Sequence, residues 1–108
     1  MTQVSGQLTR DGNGVPIGWN YANVTLAAPT TTTVKTGAGV LHSITLNKPT
    51  ATAIIIIYDN TAASGTIIGT ITVPASPQPV TLYYDATFNT GLTLRTTTAA
   101  SDITVTYI

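Results

Sequence analysis

His42 is the only imidazole in the chain, so nucleophilic catalysis by a serine or threonine would have to recruit it as general base. Its neighbours argue against that role. His42 alternates in phase with Val40, Ile44 and Leu46, the pattern of a packed or strand-end histidine whose ring is already satisfied. Gly-x-Ser-x-Gly is absent, and Ala63-Ser64-Gly65 reads as a loop with a glycine hinge. The acids are Asp11, Asp59, Asp85 and Asp102, with no glutamate. Two converging carboxylates could work on a glycosidic bond, but Asp59 and Asp85 follow apolar strand signals and Asp102 precedes one, where aspartate commonly bonds turn backbone. One histidine and no cysteine cannot build a zinc site. Asp11-Gly12-Asn13-Gly14 has the outline of a calcium loop without its closing glutamate. No catalytic, metal or cofactor residues are expected.

Aromatic chemistry is the remaining resource. Trp19, the only tryptophan, is followed two positions later by Tyr21. Such a pair is a stacking platform in a sugar-binding module, an anchor in a neighbour's pocket in an assembling protein, or a clasp that docks on its own fold. Binding rather than catalysis is what these residue types support.

The elements that must position them are strands. Charged residues make up 7% of the 108 residues, against about 25% in an ordinary domain, and threonine fills the gap, with 24 copies. Helices need straight-chain polar residues on their wet face, whereas threonine, stiff at its first side-chain torsion, suits a sheet. The length fits one core. The formal net charge is zero, and Arg10, Lys35, Lys48 and Arg95 are scattered, so there is no cationic row to neutralise phosphates and nucleic-acid binding is not expected. The longest apolar run, Ala53 to Tyr58, is far below the roughly 20 residues of a membrane helix, and the start has no basic-then-apolar leader pattern. Membrane association and secretion are not expected.

Residues 1–29 are set apart by Gly6, Gly12, Gly14 and Gly18 and read as an N-terminal arm or irregular hairpin with one strand signal, Tyr21 to Ala27. Residues 30–108 read as the β-sandwich domain. Its strand signals are Thr31 to Thr36, Val40 to Asn47, Ala51 to Tyr58, Thr66 to Val73, Val80 to Tyr84, Leu92 to Thr96 and Ile103 to Tyr107, separated by turn residues at the spacing of a sandwich or barrel. The expected fold is all-β: an antiparallel β-sandwich of about seven to eight strands, jelly-roll-like, with an N-terminal arm. Most strands split into an oily face and a threonine face. Ile54 to Ile57 does not, because Ile54 and Ile56 point one way and Ile55 and Ile57 the other. One side belongs in the sandwich interior, and the other needs cover from the chain itself or from another copy. Ile55 and Ile57, with Trp19 and Tyr21, are the candidate interface residues.

The segment Gly39 to Ile108 carries a further pattern. Gly39-Val40-Leu41-His42-Ser43-Ile44 opens a strand, and Ile55-Ile56-Ile57-Tyr58-Asp59-Asn60-Thr61 is followed by Gly65-Thr66-Ile67-Ile68. Tyr84-Asp85 steps into Phe88-Asn89-Thr90-Gly91-Leu92, and Asp102-Ile103-Thr104-Val105-Thr106-Tyr107 closes the chain. This segment resembles a small β-sandwich family among the structural proteins of tailed-bacteriophage virions, encoded with head, neck and tail genes. The resemblance implies a non-enzymatic component of the particle surface, made in the bacterial host cytoplasm. As a capsid decoration protein it would bind the major capsid protein or other virion proteins, with Trp19 and Tyr21 touching shell or neighbour, as a homo-oligomer that is a trimer by analogy. The alternative is a neck, tail-fibre or head-spike module that binds host-surface glycan, with Asp59-Asn60 and Phe88-Asn89 as its loops.

Overall fold

The computed structural model describes residues 9–10, 16–26, 30–97 and 101–108. The strands are β1 (Thr9–Arg10), β2 (Pro16–Ile17), β3 (Asn20–Leu26), β4 (Thr30–Thr36), β5 (Gly39–Lys48), β6 (Ile54–Tyr58), β7 (Ile67–Thr72), β8 (Val80–Phe88), β9 (Gly91–Thr96) and β10 (Ser101–Tyr107). β1 and β2 form a two-stranded ribbon of their own. The other strands make two four-stranded antiparallel sheets, β3-β10-β5-β8 and β4-β9-β6-β7.

The pairing is nested: β3 with β10, β4 with β9, β5 with β8 and β6 with β7. One long antiparallel hairpin with β6 and β7 at its tip, folded over and closed by the β10·β5 and β9·β6 pairings, reproduces this order. That is the jelly roll, and it leaves β3, β8, β4 and β7 as edges. The early strand signal at Tyr21 to Ala27 is therefore an edge strand of the sandwich, Asn20–Leu26, paired along its length with β10. The sandwich begins there rather than at Thr30, and the short apolar alternation of Ala22 and Val24 is what carries it inward: Val24 is buried and Ala22 packs on the core.

Between the sheets lie Leu41, Ile44, Leu46, Ile55, Ile57, Phe88, Leu92, Leu94, Ile103 and Val105, all essentially without solvent contact. Removing such a side chain from water stabilises by about 1.5–3 kcal/mol. Ile55 and Ile57 are thus core residues, which corrects their expectation as interface residues. The other half of the isoleucine ribbon, Ile54 and Ile56, faces outward and is half-buried. Its cross-strand neighbours are Thr72 and Thr70 on β7 and, beside Ile56, Arg95 on β9. Neighbouring side chains in the same sheet thus supply part of the cover that the sequence demands for that face.

A second correction falls on β5. Strict alternation would put Leu41 with Ser43 and His42 with Ile44. The register slips instead at His42 against both flanking strands: Leu41 pairs with Ala86 and Tyr107, while Ser43 pairs with Tyr83 and Thr106. A bulge adds one residue and reverses the facing of everything before it. Leu41 consequently enters the core, and His42 lies beside Trp19, Tyr83 and Asp85 at the outer surface.

Candidate functional site

The outer face of the β3-β10-β5-β8 sheet is built in rows, because cross-strand partners lie side by side. In one row Tyr21, Thr106, Ser43 and Tyr83 are successive partners from β3 to β8. The next row is Asn23, Thr104, Thr45 and Thr81. Tyr21 is 74% exposed and Tyr83 70%, while the residues between them are small hydroxyls: Ser43 and Thr106 share a hydrogen bond of 2.5 Å. With strands about 4.8 Å apart, two tyrosines separated by three strand spacings stand about 14 Å from each other.

Trp19, just ahead of β3, lays its indole flat on the imidazole of His42, with ring centroids 4.2 Å apart and planes 3° from parallel. Tyr83 meets the same imidazole edge-on at 5.6 Å and 60°. His42 Nδ1 is 2.5 Å from Asp85 Oδ1; with Nδ1–H donating to the carboxylate, the ring is oriented and Nε2 is its remaining polar atom. Asp85 reaches this position from a left-handed backbone, φ 48°, in the middle of β8. It was expected to close a turn after the strand; instead β8 continues through it to Phe88. A strained non-glycine residue and a bulge on adjacent strands converge on one imidazole, the kind of local cost that folds retain at functional positions.

At the other end of the face Asn23 donates to Asp102 Oδ1 at 2.8 Å, and Asn47 donates to Thr104 Oγ1 at 2.9 Å and to Asp102 Oδ1 at 3.4 Å. The face therefore combines exposed aromatic rings with a floor of hydroxyls, amides and two aspartates.

Of the expected interface residues, Trp19 and Tyr21 lie on this face, Trp19 held by His42 yet 43% exposed. Ile55 and Ile57 do not belong to it. Tyr83, His42 and Asp85 were not anticipated as partners of Trp19. One signal for Tyr83 was legible, since alternation along Val80 to Tyr84 already put a tyrosine on the threonine side. The bulge that exposes His42 has no such signature. The histidine–aspartate pair has the orientation of a base and its orienter, but the neighbouring hydroxyl of Ser43 is hydrogen-bonded to Thr106 instead of to the imidazole.

The loop candidates have structural duties. Phe88 is completely buried. Asp59 accepts the backbone N–H groups of Thr90 at 2.8 Å, Asn89 at 3.0 Å and Gly91 at 3.4 Å, tying the β6–β7 loop to the β8–β9 turn. Those backbone donors, Thr90 foremost, hold its carboxyl below the ordinary aspartate range against a smaller opposing effect of burial.

A different surface lies along the edges β7 and β8. Tyr84 on β8 packs against Gly69 on β7 so closely that a Cβ there would sit 2.8 Å from the phenol oxygen, which puts the two edges on one flank. Burial against this flank raises the Tyr84 phenol above its usual value. From Asn60 to Tyr84 the chain has no charged residue, and Ile67 and Val80 are 52% and 43% exposed.

These features define a class: a jelly-roll sandwich with an aromatic-polar sheet face and an uncharged edge flank. No protein-family model, curated protein or solved structure matches the chain.

Proposed function

We propose that the chain is a non-enzymatic structural protein of a tailed-phage particle, a capsid decoration protein that self-associates and binds the assembled head. The observation that carries this reading is the β7–β8 flank. Sheet edges present unpaired N–H and C=O groups, and chains that work alone guard them with lysine, proline or inward charge. Here β7 and the first half of β8, as far as Tyr84, carry no charge and expose Ile67 and Val80, with Pro74, Pro77 and Pro79 confined to the connection between them and Asp85 further along β8. A flank of this kind suits a β-strand or apolar surface of a neighbouring subunit, as in strand addition. The role that the sequence had given to Ile55 and Ile57 passes to these residues.

The mechanism is mass action: a protein that binds the assembled shell and not its separated subunits stabilises the shell by the free energy of that binding. A formal net charge of zero keeps the repulsion between crowded copies small. The jelly roll, an architecture shared by viral coat and lectin domains, provides rigidity without disulfides or cofactors.

Light scattering on the purified protein and co-sedimentation with emptied, expanded capsids test the proposal together. A defined small oligomer that saturates the shells is expected, with both properties lost in the double variant Ile67→Lys, Val80→Lys while the circular dichroism spectrum persists. A monomer at high concentration that leaves the shells bare would overturn it.

A further inference from the structure

We infer that the outer face of the β3-β10-β5-β8 sheet is a binding site for a neutral oligosaccharide chain, with Trp19, Tyr21 and Tyr83 as stacking surfaces and Asp85 with His42 as its oriented polar pair. This site shares strand β8 with the β7–β8 flank but uses the outward side chains of Tyr83 and Asp85 there, not those of Ile67 and Val80.

A pyranose is amphipathic in a particular way: its axial C–H groups form apolar patches, and its equatorial hydroxyls both donate and accept. A matching surface has exposed aromatic faces interrupted by groups that also donate and accept. That is the composition here. Tyr21 and Tyr83 stand at the ends of one row, with the Ser43 and Thr106 hydroxyls between them. Separated by about 14 Å, the two rings are too far apart for one sugar and suit two non-adjacent rings of one chain.

Other ligand classes fit less well. Single-stranded nucleic acid also stacks on aromatic rings, but it needs cations along its backbone, and here Asp85 and Asp102 are acidic while Lys48, the cross-strand partner of Asp102, is a single cation at one end. The same aspartates disfavour an anionic polysaccharide. An added β-strand would pair with the edge backbone of β3 or β8 and leave the outward-facing rings and hydroxyls of the sheet face unused.

The site is preorganised. The indole is stacked on the imidazole, the imidazole is fixed by Asp85, and Asp85 is held there at the cost of a left-handed backbone. Little ordering entropy remains to be lost when a ligand arrives.

Because Trp19 is the only tryptophan, its fluorescence reports on the site directly. The protein is titrated with neutral hexaoses of glucose, galactose, mannose and N-acetylglucosamine, and any hit is repeated by calorimetry. At least one is expected to shift the emission and protect it from acrylamide. In calorimetry Tyr21→Ala and Tyr83→Ala should each weaken that ligand tenfold or more, and Asp85→Asn several-fold, with Ile67→Lys unchanged. Silence across the panel at millimolar concentration, or undiminished binding by both tyrosine variants, would overturn the site. Neither result bears on capsid binding, which is read separately through the flank variants.

Discussion

The indole of Trp19 and the imidazole of His42 lie parallel at 4.2 Å, and this contact joins the residue ahead of β3 to the bulge of β5 across the strand between them. Aromatic pairs of this kind contribute about 0.5–1.5 kcal/mol beyond the area they bury. His42→Ala is therefore expected to lower stability by about 1 kcal/mol in urea unfolding and to raise acrylamide quenching of Trp19. Asp85→Asn, whose amide oxygen can still accept from Nδ1, should raise the quenching less than His42→Ala does. Equal quenching in wild type and His42→Ala would mean that the stack does not persist in solution.

Asp59 gives a pH-dependent expectation. Its folded-state carboxyl is depressed by the N–H donors of Thr90, Asn89 and Gly91. A depressed folded value means that the ionised group contributes stability fully above the unfolded value, near pH 3.9, and that this contribution disappears as pH falls through the lower folded value. Asp59→Asn should melt below wild type at neutral pH. The gap should then narrow as the pH drops below about 4, because only the wild type titrates there. A gap that stays constant from pH 7 to pH 2 would remove the carboxylate from the account of this loop.

Thr52 has a left-handed backbone at φ 62°, an unfavourable conformation for a β-branched residue. Its amide still donates to Val73 O at 3.1 Å, so the local shape is fixed by the backbone rather than by the side chain. Asparagine tolerates this region, and replacing an L-residue strained there can recover about 1 kcal/mol. Thr52→Asn should raise the melting temperature without altering either proposed surface. A lower melting temperature would show that the Thr52 hydroxyl, 2.6 Å from Ala51 O, outweighs the strain.

Strand positions and the two-faced sandwich were legible because threonine and isoleucine alternate with period two, which a sheet alone accommodates. The site was only partly legible. Tyr83 announced itself as an aromatic residue on a threonine face, but His42 was read into the apolar phase of β5. The bulge that turns it outward is a property of the pairing with β10 and β8, two strands remote in sequence. Asp85 was misread for the same reason: a strand that continues through a left-handed aspartate has no local marker. Ile55 and Ile57 illustrate the converse limit. Alternation separates the two faces of the isoleucine ribbon, but which face is interior depends on the neighbouring strands, β9 and β7.

The isoleucine ribbon also allows core and surface to be separated by mutation. Ile57 is fully buried and pairs beside Leu94 on β9 and Gly69 on β7. Ile57→Ala removes its burial and leaves a cavity that a sheet pinned on both sides cannot close, a loss of about 2–5 kcal/mol. Ile56, on the outer face and half-buried, should lose about 1–2 kcal/mol in the same substitution. In parallel denaturant titrations the Ile57 variant should have the lower midpoint, with a similar slope for both. If Ile56→Ala instead proved the more damaging, and did so only at concentrations where the protein self-associates, the outer isoleucines would join Ile67 and Val80 in the contact between copies.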